Sequence, residues 1–343
     1  MPPLCVPPPA PHAPPLRALL SRYSAGSAVT CEPVEQGLLN RGYRLRTTRG
    51  HYFLKHHFDP ETADPAAIAR QHAATRRLAD LGVPVAPPLP DRDGRTVAVV
   101  GGRTYALHPW IDGRHRHGGQ LTTLQCGRLG ALLGVVHASL ERVMPGQRGE
   151  CPPGADPADT FALIDDLLGH VRRHRPADAF DELARHRLLE RRELLERHTD
   201  RRPPHGGSVG WVHGDFHPFN LLYKGDAPAA IVDWDRLGVQ PRAEEAVRAA
   251  AIFFVRPDGA LDLPKVRAYA RAYRRAAGAT PGELAAAVHR VWWERLNDFW
   301  MLRWHYERGD TRADPQFPAA SALAVWWTRE YDAVCGAFME CAA

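Results

Sequence analysis

The chain has 343 residues, 44% hydrophobic and 24% charged, which supplies apolar material for two lobes and fits an ordinary water-soluble protein. Its formal net charge of +5 is scattered without a block of like charges, which argues against nucleic acid as a partner. No run of about eighteen apolar residues occurs, so no membrane span is expected; six cysteines without a C-x-x-C pair argue against a zinc ribbon or redox dithiol and suit reduced thiols in the cytoplasm.

Residues 1–15 are proline-rich and lack a basic segment followed by an apolar one, so they read as a flexible tail and not as a signal peptide. Leu16 to Tyr23 predicts a short helix. Alternating apolar residues then appear in "VTCEPVEQG", "YRLRTTRGHYFLKHHF" and "TVAVVGGRTYALHPWI", with Arg49-Gly50 and Gly101-Gly102 where hairpin turns are needed. Between these hairpins Thr62 to Leu81 has helical character and stops at Gly82, before Pro84. Beyond Asp112-Gly113 the apolar spacing changes to three and four residues and stays so nearly to the end. The expected fold class is therefore α+β: a small antiparallel sheet with one inserted helix, then a larger helical part.

One segment interrupts the helical part, "GWVHGDFHPFNLLYKGDAPAAIVDWDRLG". Leu221, Leu222 and Tyr223 predict a strand, Gly225-Asp226 a turn, and Ala230 to Val232 a return strand ending at Asp233. An antiparallel hairpin brings its first and last residues together, so Asn220 and Asp233 converge with oxygen ligands suited to a hard cation such as magnesium. Asp215 precedes Asn220 by five residues, in a loop able to fold back on the same point. A carboxylate free of the metal, beside two groups bound to it, is what phosphoryl transfer requires. His213 and His217 at i and i+4 offer a competing zinc reading, disfavoured because Gly214 and Pro218 oppose a helix there.

"HGDFHPFN" followed by "IVDWD" resembles the catalytic loop and metal motif of the aminoglycoside phosphotransferase and choline kinase family, relatives of protein kinases. The resemblance implies a bilobal protein-kinase-like fold, with 16–110 as nucleotide lobe and 111–343 as helical lobe carrying the catalytic hairpin. ATP, or GTP in its place, and Mg2+ are the implied cofactors. Asp215 is then the base, His213 supports its loop, and Asn220 and Asp233 hold the metal. Lys55, one of only three lysines, stands in a strand where the family carries the lysine that contacts phosphates. "EQGLLNRGYRL" resembles the nucleotide-covering hairpin, with Gly37, Asn40 and Gly42 near its turn. Gln71 occupies the helix position where family members usually pair a glutamate with the lysine, and is expected to face Lys55. Trp110 and Ile111 fall at the linker that would meet the base.

His217, Asp235, Glu294 and Asp298 are the candidates for the acceptor side, the last two as a pair four apart on one helix face; His217 also reads as structural, and Glu294 and Asp298, near Arg295 and Arg303, as surface charges. Trp292, Trp293, Trp300 and Trp304 are expected to pack core. The expected function is magnesium-assisted transfer of the γ-phosphoryl group to a hydroxyl of a small acceptor, such as an antibiotic, amino alcohol, homoserine or sugar. The pattern looks nearest the homoserine-kinase-like and antibiotic-phosphotransferase branches. A protein serine/threonine kinase and a catalytically silent nucleotide-binding module are the alternatives; oligomeric state is left open.

Overall fold

A computed structural model describes residues 13–34, 40–58, 63–146, 149 and 151–340. Gly37 and the start of the expected helix at Thr62 lie outside the described residues. The chain divides into two units, the first made of 1–116, 142–144 and 219–237, the second of 117–141, 145–218 and 238–343.

The first unit opens with a short helix, α1 (Leu16–Leu20). Its sheet contains β1 (Ala28–Val34), β2 (Arg41–Thr47), β3 (Gly50–His57), β4 (Ala98–Val100) and β5 (Arg103–Pro109), in the order β1-β2-β3-β5-β4 with every pairing antiparallel. Leu45, Leu54, Tyr105 and Leu107 turn one face of this sheet onto Leu19, Leu20 and Tyr23 to form a core. The helix α2 (Pro65–Asp80) begins later than the sequence suggests, because Asp64 caps it by accepting from the N–H groups of Ala66 and Ala67 and Pro65 supplies the first turn. It ends as expected at Gly82, where the Val83 N–H returns to the Leu78 carbonyl at 3.0 Å. A later hairpin belongs to the same unit: β7 (Leu221–Lys224) and β8 (Ala227–Ile231), joined at Gly225-Asp226.

In the second unit β6 (Gly210–Val212) pairs with β9 (Gly238–Gln240). The rest is helical: α3 (Thr123–Val143), α4 (Pro157–Arg173), α5 (Ala179–His198), α6 (Arg242–Phe254), α7 (Leu263–Ala277), α8 (Pro281–Asn297), α9 (Trp300–Arg308), α10 (Phe317–Arg329) and α11 (Tyr331–Met339). α6 is apolar on most of its circumference, with Ala246, Val247, Ala249, Ala250, Ala251, Phe253 and Phe254 buried, so it forms the axis of this unit. Trp292 and Trp293 are fully buried as expected, their indole N–H groups donating to Thr328 Oγ1 and the Ala155 carbonyl. Trp300 and Trp304 are half-buried and pack on each other. No helix among the described residues is long and apolar enough to cross a membrane.

Three histidines of the first unit stand close together, His57 on β3 and His72 on α2 both buried and His108 on β5 half-buried, while His56 is buried beside Tyr105. His72 meets Thr96 Oγ1 and His108 meets the Ala86 carbonyl, each at 2.9 Å, while neither ring nitrogen of His57 has a hydrogen bond. Burial, before any neighbouring charge, pushes all three down: His57 to about 2, His72 to about 3 and His108 to about 4. The rings are thus neutral in the fold but take protons near pH 6.5 when unfolded. The unfolded chain then binds more protons than the fold from about pH 6.5 down to about 4 for His108, about 3 for His72 and about 2 for His57, and these residues withdraw stability as pH falls through that window. The urea midpoint should drop between pH 7 and about pH 5, and His57→Leu, which deletes a titrating ring without breaking a hydrogen bond, should shrink that drop. An unchanged pH dependence in the variant would show that His57 does not titrate on unfolding as stated.

Candidate functional site

Lys55 lies on β3, between Gly42 of β2 and Ala106 of β5, and is only 8% exposed. Its ammonium donates to Asp233 Oδ1 at 2.6 Å and meets Asp235 Oδ1 at 2.7 Å. Burial alone would lower its pKa, but these two carboxylates raise it well above the ordinary lysine value. Asp235 is raised above the usual carboxylate range, first by burial and also by Asp233, with Lys55 acting against that rise. Asn40 holds the other oxygen of Asp235 through its amide N–H, and its own carbonyl accepts the Phe58 N–H at 3.0 Å.

The hairpin explains how two acids reach one lysine. Leu221 pairs with Ile231 and Leu222 with Ala230, and the Val232 N–H donates to the Asn220 carbonyl at 2.9 Å. Asn220 and Asp233 therefore stand at the same open end, Asn220 buried and the Asp233 side chain 46% exposed. Asp233 adopts φ 61°, ψ 65° and is the only non-glycine residue of positive φ among those described. Aspartate tolerates this left-handed conformation better than most residues, and such strain concentrates at functional positions. Oxygen donors of this kind fit a hard divalent cation.

Several expected roles change. Asp235, assigned to the acceptor side, is instead bonded to Lys55 and Asn40 in the first unit. Gln71 does not accept from Lys55; its amide donates to the Asp235 backbone carbonyl at 2.7 Å. Gly42 sits in regular β2, where a Cβ would lie 2.6 Å from the Phe53 ring, so packing accounts for the missing side chain. Trp110 spends its backbone N–H on the His51 carbonyl, donates its indole N–H to Asp112, and lies under the Arg44 guanidinium at 4.9 Å. That backbone N–H is therefore not offered to a base edge; Ile111 follows it, half-buried.

In the second unit the loop after β6 carries His213, Gly214, Asp215 and His217. Gly214 has φ 85°, a conformation costly for other residues, which carries the chain on to Asp215. The N–H groups of His213 and Gly214 both donate to the carboxylate of Glu245 on α6. The Asp215 N–H donates to His213 Nδ1 at 3.2 Å, and buried Phe216 packs edge-on against the His213 ring. His213 thus braces the loop by hydrogen bonding, while His217 Nε2 stands 3.4 Å from Asp215 Oδ2.

Glu245 is the functional residue that the sequence reading missed. It is buried, and its second partner is His137 Nε2 at 2.7 Å, which in turn meets the Tyr273 hydroxyl at 3.0 Å through Nδ1. Burial pushes the Glu245 carboxyl up, but the bond to His137, the charges of His137 and His213 and the Gly214 N–H outweigh it and hold the group below the usual range. Its signal in sequence was slight, a second glutamate in the first turn of an alanine-rich helix.

Glu294 and Asp298 are not on one helix face, because α8 ends at Asn297 and Asp298 is extended. Both nevertheless line a cavity of about 330 Å3, with Glu244, Arg290, Trp293 and Asn297. Glu294 is paired to Arg248 at 2.9 Å and Glu244 to Arg290 at 2.6 Å. Asp298 has no ion pair among the described residues; Oδ1 accepts the Trp300 N–H, and burial raises its pKa despite nearby Arg295.

Replacing Glu245 by glutamine should cost about 3 kcal/mol or more, since one of its amide hydrogens must oppose a backbone donor in a buried site. Thermal melting reads that loss. Turnover should fall further than the melting shift explains, because the Asp215 loop loses its brace; full activity in a folded variant would sink the assignment.

A family model described as the phosphotransferase enzyme family matches residues 30–279. Homoserine kinase of Methylobacillus flagellatus is 25% identical over 292 residues, covering 82% of this chain and 83% of that protein. Homoserine kinase of Acidiphilium cryptum is 24% identical, covering 86% of this chain and 94% of its own length. Among solved structures, an amicoumacin kinase in complex with AMP-PNP, Ca2+ and Ami has TM-score 0.61 at 16% identity, covering 92% of this chain and 91% of that one. A microcompartment-associated aminopropanol kinase also has TM-score 0.61 at 16% identity, covering 94% and 98%. These structures share the protein-kinase-like fold, and the family match spans most of the sequence: the chain belongs to the phosphotransferase enzyme family.

Proposed function

We propose that this phosphotransferase moves the γ-phosphoryl group of ATP, with magnesium, to the hydroxyl of a small amino alcohol, homoserine first among them. The observation that carries the reading is the hairpin end, where Asn220, the half-exposed Asp233 and buried Lys55 stand together in the first unit. Lys55 has the charge and rigidity to fix phosphate oxygens. Asn220 and Asp233 would hold the divalent cation, which when bound offsets charge on the phosphates. Asp215, held through Glu245 and His213, takes the proton of the acceptor hydroxyl. The half-buried stretch around Ile111 is the proposed place of the base.

The amino group of the acceptor is assigned to Asp298. Glu244 and Glu294 already serve arginines, whereas Asp298 reaches the same cavity without an ion pair among the described residues. Glu244 also neighbours Glu245, which grips the Asp215 loop. The homoserine kinase relatives and the fold neighbour acting on aminopropanol favour the same acceptor chemistry.

A screen of hydroxyl compounds by magnesium-dependent ADP release tests the reading, and amino alcohols should stand above simple sugars and alcohols. Asp298→Asn should raise KM for the amino alcohol by about tenfold with a smaller change in kcat; equal turnover of amine-free alcohols would remove the amine requirement. Asp215→Asn should lower turnover by about 10² to 10⁴ while leaving magnesium-nucleotide binding near normal. Asp233→Ala should weaken that binding as well, with partial recovery at higher magnesium. Calorimetric titration with a non-hydrolysable nucleotide separates the two, and the opposite pattern would reverse the roles.

A further inference from the structure

The family resemblance leaves a glutamate missing from α2 and a neutral Gln71 in its place, yet Lys55 is not short of negative charge. Two carboxylates reach it, and they differ in setting. The Asp233 side chain is 46% exposed, whereas that of Asp235 is 14% exposed. Asp235 is also held at three points: Oδ1 on Lys55, Oδ2 on Asn40 with His57 Nδ1 4.0 Å away, and its backbone carbonyl on the Gln71 amide. Asn40 is itself tied to the Phe58 N–H just beyond β3.

We propose that Asp235 is the positioning residue that aims Lys55 at the nucleotide phosphates, in place of a glutamate from α2, and that Gln71 serves Asp235 and not the lysine. This rests on the reading of Lys55 as a phosphate contact. When Asp233, 46% exposed at the strained end of the hairpin, turns from the lysine to a cation, Asp235 keeps the ammonium paired. The amide at position 71 is then required. A carboxylate there would face the Asp235 carbonyl beside two existing acids, with repulsion where a donated hydrogen bond now stands. Gln71→Glu should therefore be harmful in the native background and beneficial once Asp235 has lost its charge.

Because the chain has only three lysines, acylation of Lys55 by acetic anhydride can be followed by mass spectrometry against Lys224 and Lys265 without nucleotide. Asp235→Asn should speed Lys55 acylation several-fold and weaken ADP binding by about tenfold, with or without magnesium. Gln71→Glu alone should weaken ADP binding, and the double variant Gln71→Glu with Asp235→Asn should bind ADP better than either single one. Unchanged acylation in Asp235→Asn overturns the proposal. So does a loss of ADP affinity seen only with magnesium, which would make Asp235 a metal ligand, or a double variant no better than Asp235→Asn. Should Asp235→Asn fail to fold, Asn40→Ala releases the second carboxylate oxygen and carries the same test: faster Lys55 acylation supports the proposal and an unchanged rate overturns it. Failure of the wild-type protein to bind ADP would instead count against the phosphate reading of Lys55, since the acylation arm needs no nucleotide.

Discussion

An ammonium buried in a β-sheet must be paired, because an isolated charge removed from water costs far more than one domain's net stability can supply. Lys55 meets that condition only through residues 178 and 180 positions later, so the first unit holds its charge only once the hairpin of β7 and β8 is docked in register. Ile231 bridges Val85 and Tyr223 bridges Arg114, and these backbone links put the end of β8 where the lysine needs it. The left-handed turn at Asp233 then lets two acids separated by a single residue reach the same nitrogen. A one-residue slip in the hairpin would reverse which side chains face inward and leave the ammonium alone.

The second unit solves the converse problem. Glu245 is a buried anion, and its charge is met by donors: the His137 ring and the N–H groups of His213 and Gly214. A loop this short has few backbone bonds of its own, and a buried carboxylate on the central helix supplies the missing acceptor. The acid that anchors the loop and the acid proposed to do chemistry in it are therefore different residues in different surroundings, one enclosed by donors and the other in the loop itself.

Local signals made the hairpin readable from sequence: two short apolar runs, a Gly-Asp turn, and an acid at the strand end. The β2-β3 and β4-β5 hairpins were readable from alternating apolar residues around Arg49-Gly50 and Gly101-Gly102. What sequence could not show was which acid each cation would choose. Asp235 looks like an exposed loop residue beside Asp233 until the fold brings Asn40 and Lys55 to it. Glu245 looks interchangeable with Glu244, although about 100° of helical rotation sends one to the loop and the other to a cavity. Asp298 sits at helical spacing from Glu294, but the helix ends one residue too soon. Gln71 is expected to face Lys55, yet its partner is a backbone carbonyl, which carries no sequence signature.

The imidazoles around Lys55 complete the electrostatic argument. His57 follows two residues after the lysine, with His72 and His108 packed beyond it. Acidic residues there would have competed with Asp235 for the ammonium, and further lysines or arginines would have competed with Lys55 for Asp235. Purely aliphatic residues would have left the Thr96 hydroxyl and the Ala86 carbonyl without their ring partners. Histidine held neutral by burial meets both demands: His72 and His108 satisfy local polar groups, and His57, 4.0 Å from Asp235 Oδ2, brings no charge to compete with Lys55 for that carboxylate. The cost is that the arrangement tolerates acid poorly, since any proton gained there places a second cation beside Lys55, whose counter-charges are already committed.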